Sequence, residues 1–142
     1  SKVNRLYPAW VVVSLALPTL LGGLFTQTWH GALLGFLWGG LARIFFVAHM
    51  TYSINSICHF FGTRPFDTRE NSTNNVLLAI PTGGESWHNN HHAFPSSAKF
   101  GLKFWQIDIG YIVVYFLKRL GLAHNVNVPS KTTISRRRKE MI

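Results

Sequence analysis

The chain has 142 residues, of which 47% are hydrophobic, 14% aromatic and only 13% charged, with 14 Lys+Arg against 5 Asp+Glu for a net charge of +9. This is too apolar for a disordered basic tail, and a single cysteine, Cys58, excludes an internal disulfide framework and a cysteine-based zinc finger. A basic membrane protein remains, or a nucleic-acid binder with an apolar core.

From Leu6 to Ala42 there are 37 residues without Lys, Arg, Asp or Glu. One membrane helix needs ~20 apolar residues, so the stretch has room for two closely spaced spans. Its most polar triplet, Thr26-Gln27-Thr28, predicts the turn between them. The first helix is expected from about Pro8 to Phe25, with Pro8 in the first turn, where its missing N–H costs nothing. Pro18 and Gly22-Gly23 are expected to kink or weaken it, as membrane helices tolerate. Trp10 and Trp29 fall near its opposite ends, as an aromatic belt requires. The second helix is expected from Thr28 to Phe61, with Gly62 as its stop signal. At ~50 Å against a ~30 Å hydrocarbon core it outruns the bilayer by about four turns. Those turns carry His49, Asn55 and His59. Arg43 has two readings: a side chain that snorkels to the headgroups, or a charge turned toward a polar site. Lys2 and Arg5 precede the hairpin and Arg64 and Arg69 follow it, so the positive-inside rule predicts both termini in the cytoplasm.

Seven histidines follow this frame: His30, His49, His59, His88, His91, His92 and His124. His88, His91 and His92 stand at i, i+3 and i+4, one face of a helix, and offer neutral imidazoles to a transition metal. Glu85, three residues before His88, is expected to accept a ring N–H and orient that ring. Asn55 and His59 share a face at i and i+4. His49 lies about 120° around the same helix; it is either a polar helix-end residue or a group that orients a ligand. His30 and His124 read as structural or incidental. No Glu-x-x-His pair is repeated, as a carboxylate di-iron bundle needs, and there is no Walker loop, GxGxxG or GxSxG element.

Phe104 to Leu117 is too short and polar to span a membrane. Trp105, Ile109, Ile112, Val113 and Phe116 are spaced for one helical face, which predicts an amphipathic helix at the membrane surface or under the metal region. The charge run Ser135-Arg136-Arg137-Arg138-Lys139 is expected to be disordered and lipid-attracted. The predicted fold is an all-α membrane protein: a transmembrane hairpin (1–61), a cytoplasmic helical histidine region (62–128) and a basic tail (129–142).

Asn55-Ser56-Ile57-Cys58-His59, Gly62-Thr63-Arg64-Pro65-Phe66 and Gly84-Glu85-Ser86-Trp87-His88-Asn89-Asn90-His91-His92-Ala93-Phe94-Pro95 resemble the membrane fatty acyl desaturases. Gly101-Leu102-Lys103-Phe104-Trp105-Gln106-Ile107-Asp108 and Leu120-Gly121-Leu122-Ala123 extend the likeness, which is closest to the delta-9 acyl-CoA and acyl-lipid branch typified by stearoyl-CoA desaturase. The resemblance implies O2-dependent desaturation of a long-chain acyl-CoA or acyl-lipid at a non-haem centre of two Fe ions. It implies His59, His88, His91 and His92 as iron ligands, with Asn55 acting through a water. It also implies an electron donor such as a ferredoxin or a cytochrome b5-type protein. Phe45, Phe46 and Tyr52 are candidates for the acyl-chain wall. Arg64, Arg69, Lys99 and Lys103 are candidates for meeting an acidic donor or an anionic headgroup. The family's two earlier histidine boxes have no counterpart here, so the chain is expected to be the C-terminal half of such an enzyme, inactive by itself. Two rival readings are a histidine-box lipid hydroxylase and a non-catalytic metal-binding membrane module. No nucleic-acid partner is expected.

Overall fold

A computed structural model describes the backbone of residues 2–139 and the side chains of residues 5–138. It divides into two compact units, Ser1–His49 and Met50–Ile142.

In the first unit, helix α1 (Lys2–Thr26) contains both Pro8 and Pro18. It starts six residues before the expected Pro8, because a proline in the second turn removes only one backbone donor. The chain reverses where the polar triplet predicted, with Gln27 at φ 53°. Thr28 then caps α2 (Trp29–Leu34), its hydroxyl accepting the Gly31 N–H at 3.0 Å. α2 runs into a π-helical stretch, Gly35–Ala42, then α3 (Arg43–Ser56) and a 3-10 turn, Ile57–His59. Two apolar stretches, Arg5–Thr26 (22 residues) and Trp29–His59 (31 residues), are long enough to cross a membrane. The second ends two residues before the expected Phe61.

The π-helical stretch is not predicted by the charge pattern. Gly31, Gly35 and Gly39 recur at every fourth residue, and α1 packs on them. A Cβ at Gly35 would overlap the Pro18 carbonyl, and one at Gly39 would sit 2.5 Å from the Pro18 Cβ. Small residues let two helix backbones approach without a hydrophobic driving force. Arg43 closes the same contact: its Nε donates to the Gly39 carbonyl at 2.8 Å and its Nη2 to the Ser14 carbonyl at 3.1 Å. Ser14 is four residues before Pro18, which has no N–H to give it. The side chain therefore ties the two helices together at backbone oxygens.

The second unit has no strand among the described residues, only the isolated bridges Thr63–Asn74 and Asn74–Trp87. Its core is small and unusually polar. Cys58, Phe66 and Trp87 are buried beside Ser72, Asn74, Ser86, Asn89 and Asn90. These polar groups are hydrogen-bonded, as burial demands. Asn89 pairs with the backbone of Phe66 through both ends of its amide, at 2.9 and 3.0 Å. Asn90 bonds Asn74 at 2.7 Å and donates to the Phe100 carbonyl at 2.7 Å. These two asparagines fasten loops 66–74 and 100–106 around the short helix α4 (His88–Ala93).

Two expectations need correction. The amphipathic helix does not start at Phe104; α5 spans Ile109–Arg119. Gln106 Oε1 accepts the amides of Leu102 and Lys103, at 2.8 and 2.9 Å. Asp108 accepts those of Phe100 and Gly101 and caps α5 at the Tyr111 N–H, 2.8 Å. Side chains that capture loop amides hold residues 100–108 out of a helix. The α5 face with Ile112, Val113 and Phe116 is exposed. The basic run is helical rather than disordered: α6 covers Lys131–Lys139. Ser130 begins it by accepting the Thr133 N–H at 3.1 Å, and Asn127 anchors the approach by donating to the Ser96 carbonyl. Residues 140–142 of that tail lie outside the described residues.

Candidate metal centre

α4 sets His88 and His92 one turn apart, and His59 arrives from the 3-10 turn that ends the long helix. Their ring nitrogens converge. His88 Nε2 lies 3.1 Å from His59 Nε2 and 3.1 Å from His92 Nε2. The ligand atoms of all three lie within 4.8 Å of one another. Imidazole nitrogens about 2.1 Å from one ion stand about 3.0 Å apart at a right angle and about 3.4 Å at a tetrahedral one. Both pairs that include His88 thus have the spacing of neighbouring ligands on one cation.

The environment keeps the trio's central imidazole uncharged. Burial, helped by His92, His59 and His91, pushes His88 down to about 4 from an ordinary 6.5, against a small opposing pull from Glu70. A neutral imidazole is the form that binds metal. His91 lies beside the trio. Its ring packs on Phe100 at 4.4 Å between centroids, and its buried Nδ1 has no hydrogen-bond partner among the described residues. Burial and His92 lower its pKa as well. A buried polar atom left unpaired is costly, and a metal or its water is the kind of partner that satisfies an imidazole. The donor set therefore fits a transition metal.

The other expected residues lie as follows. Asn55 is exposed and its amide donates to the Thr51 carbonyl at 3.1 Å. His49 has Nδ1 2.8 Å from the Phe45 carbonyl and its ring on Phe45. Tyr52, Phe45 and Phe46 are exposed. Arg64 donates to Asn71 Oδ1 and the Thr68 carbonyl, and Arg69 lines a polar cavity of about 410 Å³ with Glu70, His92 and Arg137. Lys99 and Lys103 lie over Tyr111 and Trp105. His30 and His124 are exposed.

Glu85 makes no hydrogen bond to His88 among the described residues. Residues 77–86 form turns and Trp87 a bridge, so Glu85 is not on the helix that carries His88 and the i−3 relation does not apply. Partial desolvation and the neighbouring Asp108 raise its pKa. The carboxylate at the cluster is Glu70, with Oε1 3.3 Å from His92 Nδ1. Desolvation opposes its ionisation, but hydrogen bonds from Ser72 and Thr68, with help from His92, hold it below the usual glutamate range. Its distance in sequence hid it: Glu70 is 22 residues from His92, in a loop without periodicity.

A model of the fatty acid desaturase family matches residues 1–118. The chain belongs to the fatty acid desaturase family. The chain is 52% identical, over 94% of its length, to the hex-5-enoyl-[acyl-carrier protein] acetylenase of Moorena producens (strain JHB), covering 42% of that protein. It is 44% identical, over 83% of its length, to delta-9 acyl-lipid desaturase 1 of Arabidopsis thaliana, covering 38% of it. It is 47% identical, over 67% of its length, to icosanoyl-CoA 5-desaturase of Limnanthes douglasii, covering 27% of it. The chain thus spans well under half the length of these relatives. As a member of this family with two membrane-length apolar helices and a histidine cluster fit for a metal, it is an all-α membrane protein.

Proposed function

We propose that the protein is an O2-dependent fatty acyl desaturase whose residues 55–92 contribute part of a non-haem di-iron centre. The convergence of His59, His88 and His92 carries this reading, because three imidazole nitrogens brought together at ligand spacing form a ready donor set for a metal. His59, His88, His91 and His92 would hold iron, with Asn55 acting through a water. Iron, when bound, supplies the oxidising power from O2 that no side chain possesses. The overall change removes two hydrogens from adjacent methylenes and, with two electrons from a donor protein and two protons from solvent, reduces O2 to two waters.

The chain's own residues favour uncharged His88 and His91 by burial, lock the ligand helix through Asn89 and Asn90, and hold His92 against Glu70. Electrons come from a ferredoxin or cytochrome b5-type donor, for which Arg64 and Arg69 offer a basic approach. Both termini and the metal site face the cytoplasm, as the flanking Lys and Arg residues favour. The exposed apolar face of α5 rests on the membrane surface.

Relatives named for acyl-CoA, acyl-lipid and acyl-carrier-protein substrates support a fatty acyl substrate, and their names run from a hex-5-enoyl to an icosanoyl chain; a long chain is our reading from the motif likeness. Delta-9 is the bond position we assign from the motif likeness. Four imidazoles leave two six-coordinate irons short of ligands, so residues 1–142 alone are expected to be inactive. Lipid analysis of cells expressing the whole protein tests the assignment. A new double bond supports it, and His88→Ala should abolish the product. A hydroxylated product would favour the hydroxylase reading instead.

A further inference from the structure

We propose that Glu70 is the positioning residue of the metal centre, holding His92 with its proton on Nδ1 so that Nε2 is free for the ion. This rests on the three-histidine reading above and goes beyond it by naming what fixes the third ring. Imidazole has two nitrogens, and the hydrogen bond made by one decides which is free to ligate. His92 Nε2 points at His88 Nε2, 3.1 Å away, while Nδ1, on the other edge of the ring, meets Glu70 Oε1 at 3.3 Å. The carboxylate is therefore placed to accept from the ring and not to share the cation.

Glu70 is itself held. The Ser72 hydroxyl donates to its Oε1 at 2.9 Å, and Ser72 is fully buried. Ser72 and Thr68 are linked at 3.1 Å, and Asn89 Nδ2 reaches Thr68 Oγ1 at 3.2 Å and Ser72 Oγ at 3.4 Å. Asn89 belongs to α4, as does His92. The bonds thus close a ring: α4 to Glu70 through His92, Glu70 to Ser72, and Ser72 back to α4 through Asn89. A loop residue with this closure keeps a fixed position relative to the ligand it orients. The remaining described acids are engaged elsewhere: Asp67 lies 3.9 Å from Arg64, Glu85 is beside Asp108, and Asp108 caps α5.

The test is cobalt(II) titration of the purified full chain in detergent, read by visible absorption, with ¹⁵N NMR of the histidine rings to report tautomers. Carboxylates that orient a ligating histidine typically contribute 10–100-fold in metal affinity. Glu70→Ala should weaken cobalt binding by about that factor and release His92 from the Nδ1–H tautomer. Glu70→Asp should recover most of both. Ser72→Ala should give a smaller loss in the same direction. If wild type binds cobalt and His88→Ala abolishes binding, but Glu70→Ala stays within about twofold with an unchanged His92 tautomer, the proposal is overturned and the three-histidine reading stands. If wild type gives no imidazole-bound cobalt spectrum, that reading falls and this proposal falls with it.

Discussion

His88 makes the centre's pH behaviour calculable in sign. Its pKa is about 4 in the folded chain, against 6.5 when unfolded, chiefly because it is buried and also because other imidazoles surround it. Between those values the unfolded chain binds a proton that the folded chain does not. His88's contribution to stability is therefore complete above pH 6.5, declines as pH falls from 6.5 toward 4, and changes no further below that. Thermal unfolding of the metal-free chain should show this decline, and His88→Gln should flatten it over the same window. At this scale the sequence was informative about rings and poor about their supports. The spacing of His88 and His92 needed only local helix geometry. Glu70 needed the path of a loop held by Asn89, which no spacing rule encodes. Glu85 misled because the i−3 argument presumes a helix that begins only at His88.

The elements divide by the kind of signal that specifies them. The hairpin helices were legible because a 37-residue gap in charge is a one-dimensional property. The π-helical stretch was not, because it lies where Gly35 and Gly39 meet Pro18 on a different helix. The start of α5 was missed for a related reason: Gln106 and Asp108 look like polar interruptions of a helix and are instead the side chains that fold the preceding loop. The Arg43 bond offers a direct test of helix pairing. Arg43→Leu leaves the Ser14 and Gly39 carbonyls without their donor and should destabilise the hairpin by about 1–2 kcal/mol. Pro18→Ala gives Ser14 an amide donor within α1. In a double-mutant cycle read by denaturant titration in micelles, Arg43→Leu should therefore cost less in the Pro18→Ala background. Strict additivity would contradict the role assigned to Arg43.

For the whole molecule, two apolar spans joined by a tight turn place Gln27 opposite the rest of the chain in the proposed topology. Cys58, the single cysteine, is fully buried and supplies little background in a thiol-labelling experiment. With cysteine introduced at Gln27 or at Lys118, a membrane-impermeant maleimide should react from opposite sides of sealed, oriented vesicles. Labelling of both from one side would refute the hairpin crossing.

The turn itself bears on biogenesis. Thr26 and Thr28 bond each other at 3.0 Å, Thr26 returns a bond to the Gly22 carbonyl, and Thr28 satisfies the Gly31 amide. The leading edge of the hairpin thus carries no formal charge and shields some of its own backbone polarity. Such a tip can be pushed through hydrocarbon as a closed unit during synthesis, with neither span waiting for the other. A single lysine at Gln27 would add a translocation cost of about 2.5–3.5 kcal/mol at the bilayer centre.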